Sequence, residues 1–458
     1  MRRRTLSRLT TAACAFALLA GIAPAATADG AHDGGSHDDR GAGHNRAYKS
    51  IGYFTQWGVY GRDFQVKDLD TSGAAARLTH INYAFGNVSP EGKCFTGNVP
   101  GEADAWADYA RPLDAAGSVD GVADTDTQAL AGNFNQLREL KAKHPGLKVM
   151  ISLGGWSWST HFSDAARTAA SRKALVSSCI DLYIKGNLPV DGVRGGDGAA
   201  AGLFDGIDID WEWPGSAGDT DTVYRPEDKK NFTALVHEFR TQLDSYAKAQ
   251  KSPANRKTHK KHYELSAFVP TAPAKIDAGF DVRRIMRDFD FVNLQGYDFH
   301  VSGETTTAQQ SALYAKGDFS VDQTVRDWIR RGAPARKLVV GMPFYGQGWT
   351  GVTGGGDGLG QPATAPAPAT YAAGYEDYKA LKKLADSGQY TVHRDTRNGH
   401  AWLFDGTTLW TYDDPQVLRA KTSYIRDRGL GGAMFWSLDG DTDDGELMSA
   451  VDRGLNRR

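Results

Sequence analysis

Apolar residues fall along this chain in short runs, with polar and helix-forming stretches between them. The runs are "SIGYFT" (50–55), "LTHINYAFG" (78–86), "LKVMISLGG" (147–155), "LFDGIDIDWEW" (203–213), "YELSAFVP" (263–270), "FDFVNLQGYD" (289–298), "KLVVGMPFYG" (337–346) and "GGAMFWSLD" (431–439). Each is the length of a strand, whereas the stretches between several of them space apolar residues as a helix does. From Pro226 to Ala249, the residues Phe232, Leu235, Val236, Phe239 and Leu243 mark one face, and the opening Pro226-Glu227-Asp228 suits a helix N-terminus. Leu130, Phe134, Leu137 and Leu140 make a second stripe before the third run. Strands alternating with helices in this way predict an α/β fold, a closed parallel (β/α)8 TIM barrel. An open doubly wound sheet would require a glycine-rich phosphate fingerprint, which the sequence lacks.

One interval is too long for a single helix. Between the seventh and eighth runs lie "TGVTGGGDGLGQPATAPAPAT" and then "YTVHRDTRNGHAWLFDGTTLWTYDD", whose alternating pattern turns at Asn398-Gly399 and Asp405-Gly406 as β-hairpins do. A small α+β insertion subdomain is predicted at 347–410, with the barrel built from 48–346 and 411–455.

The N-terminus has a basic head, "MRRRTLSRL", an apolar segment too short to span a bilayer, and a small-x-small site ending at Ala28. Residues 1–28 therefore read as a signal peptide and 29–47, rich in Gly, Asp and His, as a disordered lead-in. The mature protein is expected to be secreted, extracellular and without a membrane anchor. Removing Cys14 leaves Cys94 and Cys179, which allow either one disulfide or two free thiols. With 53 Lys and Arg against 55 Asp and Glu, nothing points to nucleic acid. The 11 Trp provide for stacking on flat apolar faces, sugar rings among them.

The fourth run carries Asp205, Asp208, Asp210 and Glu212 in an otherwise apolar strand, where isolated charges are costly. Asp208, Asp210 and Glu212 are spaced by two, so they line the inward side, with Glu212 nearest the C-terminal mouth where barrel sites form. Asp205 is out of phase and reads as structural. Stacked acids repel one another and raise at least one pKa, which keeps a carboxyl protonated for general-acid work. That suits glycosidic cleavage. Because the acids stand on one strand, on one side of the bond, a route using the sugar's own 2-acetamido oxygen as nucleophile fits better than a facing carboxylate pair.

"DGIDIDWE" resembles the Asp-x-x-Asp-x-Asp-x-Glu signature of glycoside hydrolase family 18, the chitinase family. "SLGG" (152–155), "QGYD" (295–298), "GMPFYG" (341–346) and "GGAMFWSLDGD" resemble the family's motifs on strands three, six, seven and eight, and the likeness spans about residues 48–455. The resemblance implies that Glu212 is the acid/base and that Asp210 holds and orients the acetamido group. It also implies that Asp208 shares a proton with Asp210 and that Tyr297 bonds the acetamido oxygen. Asp298 would contact the same sugar, Trp436 would floor the −1 subsite, and Trp156 would stack at +1. Trp213, which like Trp156 follows directly on a strand, is placed at the mouth, and Tyr53, Phe85 and Tyr345 near the −1 pocket. Trp57, Trp158, Trp349 and Trp402 are weighed equally as packing residues.

The sequence departs from the family pattern at Gln295, where Met is common, at Gln347, where Arg is common, and at Trp213, a frequent Tyr. No cofactor and no metal are implied; the acidic loop at 439–446 lacks the offsets of a calcium loop. The implied partner is chitin or its oligosaccharides, taken by a monomer with no appended carbohydrate-binding module. The alternatives are an endo-β-N-acetylglucosaminidase on N-glycans and a chitin-binding lectin, the latter disfavoured by the presence of Glu212.

Overall fold

The computed structural model describes residues 48–250 and 261–456; the signal peptide and lead-in lie outside the described residues. Eight parallel strands form the barrel: Lys49–Thr55, His80–Val88, Lys148–Gly154, Gly206–Asp210, Glu264–Val269, Val292–Leu294, Leu338–Pro343 and Gly432–Trp436. Strand one pairs with both strand two and strand eight, which closes the sheet. All eight fall within the apolar runs, trimmed or extended by a few residues at their ends.

The helices supply the outer layer. Helix Asp228–Ala249 buries Phe232, Leu235, Val236, Phe239 and Leu243 against the barrel, each contributing about 1.5–3 kcal/mol of hydrophobic stabilisation. Its first residue does more than complement the helix dipole. Asp228 is buried and accepts from Ser163 Oγ at 2.7 Å, Arg225 N at 2.7 Å and Gly215 N at 3.3 Å, fastening the loop that follows strand four. Phe134, Leu137 and Leu140 are buried along helix Gly132–Lys143.

Strand seven stops earlier than its apolar run. Phe344 N still donates to Trp436 O at 2.7 Å, but Tyr345 then leaves the barrel and pairs antiparallel with Asp377. Tyr345–Thr350 thus opens a second, antiparallel sheet with Thr408–Tyr412, His400–Phe404 and Thr391–Asp395, turning at the two Gly-containing dipeptides noted above. Trp349, Trp402, Phe404 and Leu409 form its core, and helix Tyr378–Asp386 completes it. Arg62, after strand one, pairs with Asp377 of this subdomain and with Asp439 after strand eight, tying three segments at the barrel mouth.

Two hairpins, Asn98–Val99 with Ala103–Asp104 and Leu188–Asp191 with Arg194–Gly196, have no counterpart in the sequence reading. They are too short to show a period. Close by, Cys94 and Cys179 form a disulfide, with Cα atoms 4.9 Å apart across 85 residues of chain. Replacing both by serine is expected to lower unfolding stability by about 2–5 kcal/mol. Denaturant melts of the oxidised parent and the double variant check this, and coincident curves would remove the bridge from the stability account.

Candidate active site

Register builds the base of the site. Ser152 of strand three and Ser266 of strand five stand opposite Asp208 of strand four. Asp208, fully buried, accepts from Tyr53 Oη at 2.7 Å, Ser152 Oγ at 2.8 Å, Ser266 Oγ at 2.5 Å and Asn293 Nδ2 at 3.4 Å. Burial raises its pKa and these hydroxyl donors pull it back down. Both oxygens are thereby occupied, and no hydrogen bond joins Asp208 to Asp210. The expected proton sharing lies one step further out, between Asp210 and Glu212.

Asp210 is held well above the usual carboxylate range by burial and then by the charges of Glu212 and Asp208, and its carboxyl hydrogen-bonds that of Glu212. Glu212, half-buried at the mouth, is pushed up to about 8, by burial first and by Asp298 against the opposing charge of Lys275. Two carboxyls sharing a proton titrate as a unit. Asp210 Oδ1 is buried with no hydrogen-bond partner among the described residues. The backbone beneath is fixed by the "SLGG" glycines. Gly155 N donates to Asp210 O at 2.8 Å, while a Cβ on Gly154 would lie 2.4 Å from that oxygen and one on Gly155 2.5 Å from the Phe85 ring. Both glycines have positive φ, a backbone that side chains rarely adopt.

Strand six and its loop supply Tyr297 and Asp298. The buried Tyr297 hydroxyl has Met434 Sδ at 4.0 Å as its hydrogen-bonding contact, a weak acceptor, and is raised by burial and the charge of Asp210. Asp298 adopts φ 55°, a conformation Asp tolerates. Its Oδ1 accepts from Tyr345 Oη at 2.7 Å and Gln347 Nε2 at 2.9 Å. Gln347, one of the departures from the family pattern, therefore holds Asp298 from the second sheet, and its own Oε1 accepts from Ser302 N at 3.1 Å. Asp298 also adds a carboxylate from outside strand four. Gln295 is half-buried, its Oε1 3.4 Å from Thr271 N.

Trp436 is half-buried at the end of strand eight, among Tyr53 at 5.3 Å, Phe85 at 5.7 Å and Trp57 at 6.4 Å between ring centroids. Tyr53 is buried beneath it, with its hydroxyl committed to Asp208. Trp57, 42% exposed, extends this aromatic bed outward. Trp349 and Trp402 are core residues of the second sheet, and Trp158 Nε1 donates to Gly101 O at 2.8 Å. Trp156 is half-buried just past strand three.

Trp213, placed at the mouth by the sequence, is buried: it is 1% exposed, packed on Phe268 at 5.7 Å with Lys275 Nζ 5.2 Å above its ring. Asp205 is held outside the acid series, bonding Lys141 Nζ at 2.6 Å and Val149 N at 3.0 Å. Asp441 in the acidic loop accepts from the backbone N–H groups of Thr442, Leu447 and Met448. Ser152, Ser266, Asn293 and Lys275 were missed by sequence reasoning. A lone Ser or Asn inside an apolar run is their sole signal, and Lys275 has none.

The family model for glycosyl hydrolases family 18 matches residues 49–441. Chitinase 63 of Streptomyces plicatus is 40% identical over 416 residues, covering 88% of this chain and 60% of its own length. Chitinase C of Streptomyces lividans is 39% identical, with 92% and 61% covered, so the chain spans about three-fifths of these relatives. The catalytic domain of a psychrophilic chitinase B from Arthrobacter TAD20 superposes with a TM-score of 0.84 at 47% identity, covering 90% of this chain and 96% of that one. With the closed barrel and the acid series of strand four in place, the chain belongs to glycosyl hydrolases family 18.

Proposed function

We propose that this protein is a secreted chitinase that hydrolyses β-1,4-N-acetylglucosamine linkages with retention of configuration, the substrate's acetamido oxygen acting as nucleophile. One observation carries the reading. Beside the proton-bearing Glu212 stand a buried acceptor without a partner, Asp210 Oδ1, and a weakly engaged donor, Tyr297 Oη. That pair complements the N–H and C=O of an acetamido group, and a buried polar atom left unpaired costs free energy that a ligand recovers.

In this scheme Glu212 protonates the leaving oxygen and later takes a proton from water. Asp210 orients the acetamido N–H and stabilises the oxazolinium cation. Asp208, fixed by its four donors, places Asp210. Trp436 and Phe85 floor the −1 sugar, Trp156 stacks at +1, and Asp298 with Tyr345 walls the same pocket. The Cys94–Cys179 disulfide accords with an oxidising compartment. No helix among the described residues is long and apolar enough to cross a membrane.

Partly deacetylated chitosan tests the nucleophile. Glucosamine lacks the acetamido oxygen, so new reducing ends are expected to be N-acetylglucosamine almost without exception. Frequent glucosamine there would mean an enzymic nucleophile, with Asp298 and Asp210 as the carboxylates at hand.

A further inference from the structure

Asp439 is 2% exposed and takes no part in the scheme above, yet its oxygens gather donors from strand one and its loop, from the end of strand eight and from the insertion. Oδ1 accepts from the hydroxyl of Ser437, the residue next to Trp436. Oδ2 accepts from Thr55 Oγ1 at 2.9 Å, at the end of strand one, and faces Arg62 Nε at 3.2 Å. The same Arg62 pairs with Asp377, which stands opposite Tyr345 in the second sheet. The main-chain carbonyl of Asp439 accepts from Lys379 Nζ at 2.8 Å, a second tie to the insertion. Packing around these bonds is close. A Cβ on Gly58, the residue after Trp57, would lie 2.8 Å from Thr55 Oγ1 and 3.5 Å from Asp439 Oδ2, and one on Gly440 would lie 2.2 Å from Phe344 O.

Each partner leads to a side chain of the site. Ser437 fixes the backbone beside Trp436, the short helix Gln56–Val59 that follows Thr55 carries Trp57, and the Arg62–Asp377 pair holds the strand pairing from which Tyr345 reaches Asp298. On the reading proposed above, Trp436 floors the −1 sugar, so a shift of about 1 Å in its ring falls on the reacting centre and costs on the order of 10²-fold in rate. We infer that Asp439 is a positioning residue for the hydrolytic step, setting the pose of Trp436 against the Tyr345–Asp298 wall. A neighbouring acid is bonded differently. Asp441, also buried, accepts from the backbone N–H groups of Thr442, Leu447 and Met448, and so fastens the start of helix Glu446–Leu455 rather than a residue of the site.

Two variants and a control test this. Asp439→Ala leaves Arg62 its bond to Asp377, and Ser437→Ala removes only the link beside Trp436. On a defined chitooligosaccharide, kcat/KM is expected to fall about 10- to 100-fold in the first and about three- to tenfold in the second, mostly in kcat. A cyclic thiazoline that mimics the oxazolinium ion should lose affinity in parallel, whereas binding of intact oligosaccharide, measured in the Glu212→Gln background, should change by less than about threefold. Asp441→Asn should lower the melting temperature while kcat/KM and thiazoline affinity stay parental. Parental kcat/KM and thiazoline affinity in Asp439→Ala, or in Ser437→Ala where the first variant does not fold, would overturn the inference. So would an equal loss in Asp441→Asn, which would leave both acids as supports of the fold alone. Failure of the acetamido reading shows instead in the parent enzyme, as glucosamine at reducing ends and no inhibition by the thiazoline, and kcat/KM of the variants still decides the role of Asp439.

Discussion

Glu212→Gln is expected to fold and bind chitooligosaccharides as the parent does while losing turnover by about 10²–10⁴-fold, because an amide of the same shape cannot donate the proton the leaving oxygen needs. The loss should fall on kcat, with little change in KM, since the proton is transferred only in the transition state. It should shrink for an aryl glycoside whose leaving group departs without protonation, which separates a missing acid from a distorted site. The pH dependence has a defined sign. The active form carries a proton on Glu212, and burial with Asp298 pushes that carboxyl up to about 8, so activity should persist through neutral pH and fall on the alkaline side near that value. A variant with parental turnover, or a parent enzyme that loses activity between pH 5 and 6, would remove Glu212 from this role.

The barrel strands were legible because each is buried on both faces and reads as a continuous apolar run. The helix Asp228–Ala249 was legible through its single apolar stripe, and the hairpins of the second sheet through glycines at their turns. Where strand seven ends was not legible. Tyr345 and Gly346 continue the apolar run, yet they pair with Asp377 and Glu376 of the second sheet, a switch decided by partners thirty or more residues away. The period-two spacing placed Asp208, Asp210 and Glu212 on one line. It did not show which neighbours they would meet.

That is why Asp208 and Asp210 differ in the structure. Tyr53, Ser152, Ser266 and Asn293 come from strands one, three, five and six and converge on Asp208 only once the barrel closes. With Asp208 satisfied, Asp210 is left to share with Glu212, an outcome set by three-dimensional register. Trp213 and Trp57 show the same limit. The first follows the acid directly, yet it is buried against Phe268. The second was weighed equally as packing, yet it is exposed beside Trp436.

Asp210→Asn should separate charge from shape. The amide keeps an oxygen able to accept from the acetamido N–H, so binding of the neutral substrate, and with it KM, should change little. The oxazolinium cation develops only along the reaction path, and a buried carboxylate beside it acts in a medium that screens poorly. Losing that charge is expected to lower kcat and kcat/KM together by about 10²–10³-fold, the scale seen when one preorganised electrostatic contact is removed from an active site. Initial rates on a defined chitooligosaccharide across substrate concentration measure both constants. An Asp210→Asn enzyme that lost binding but kept turnover would show that Asp210 does not stabilise the cation.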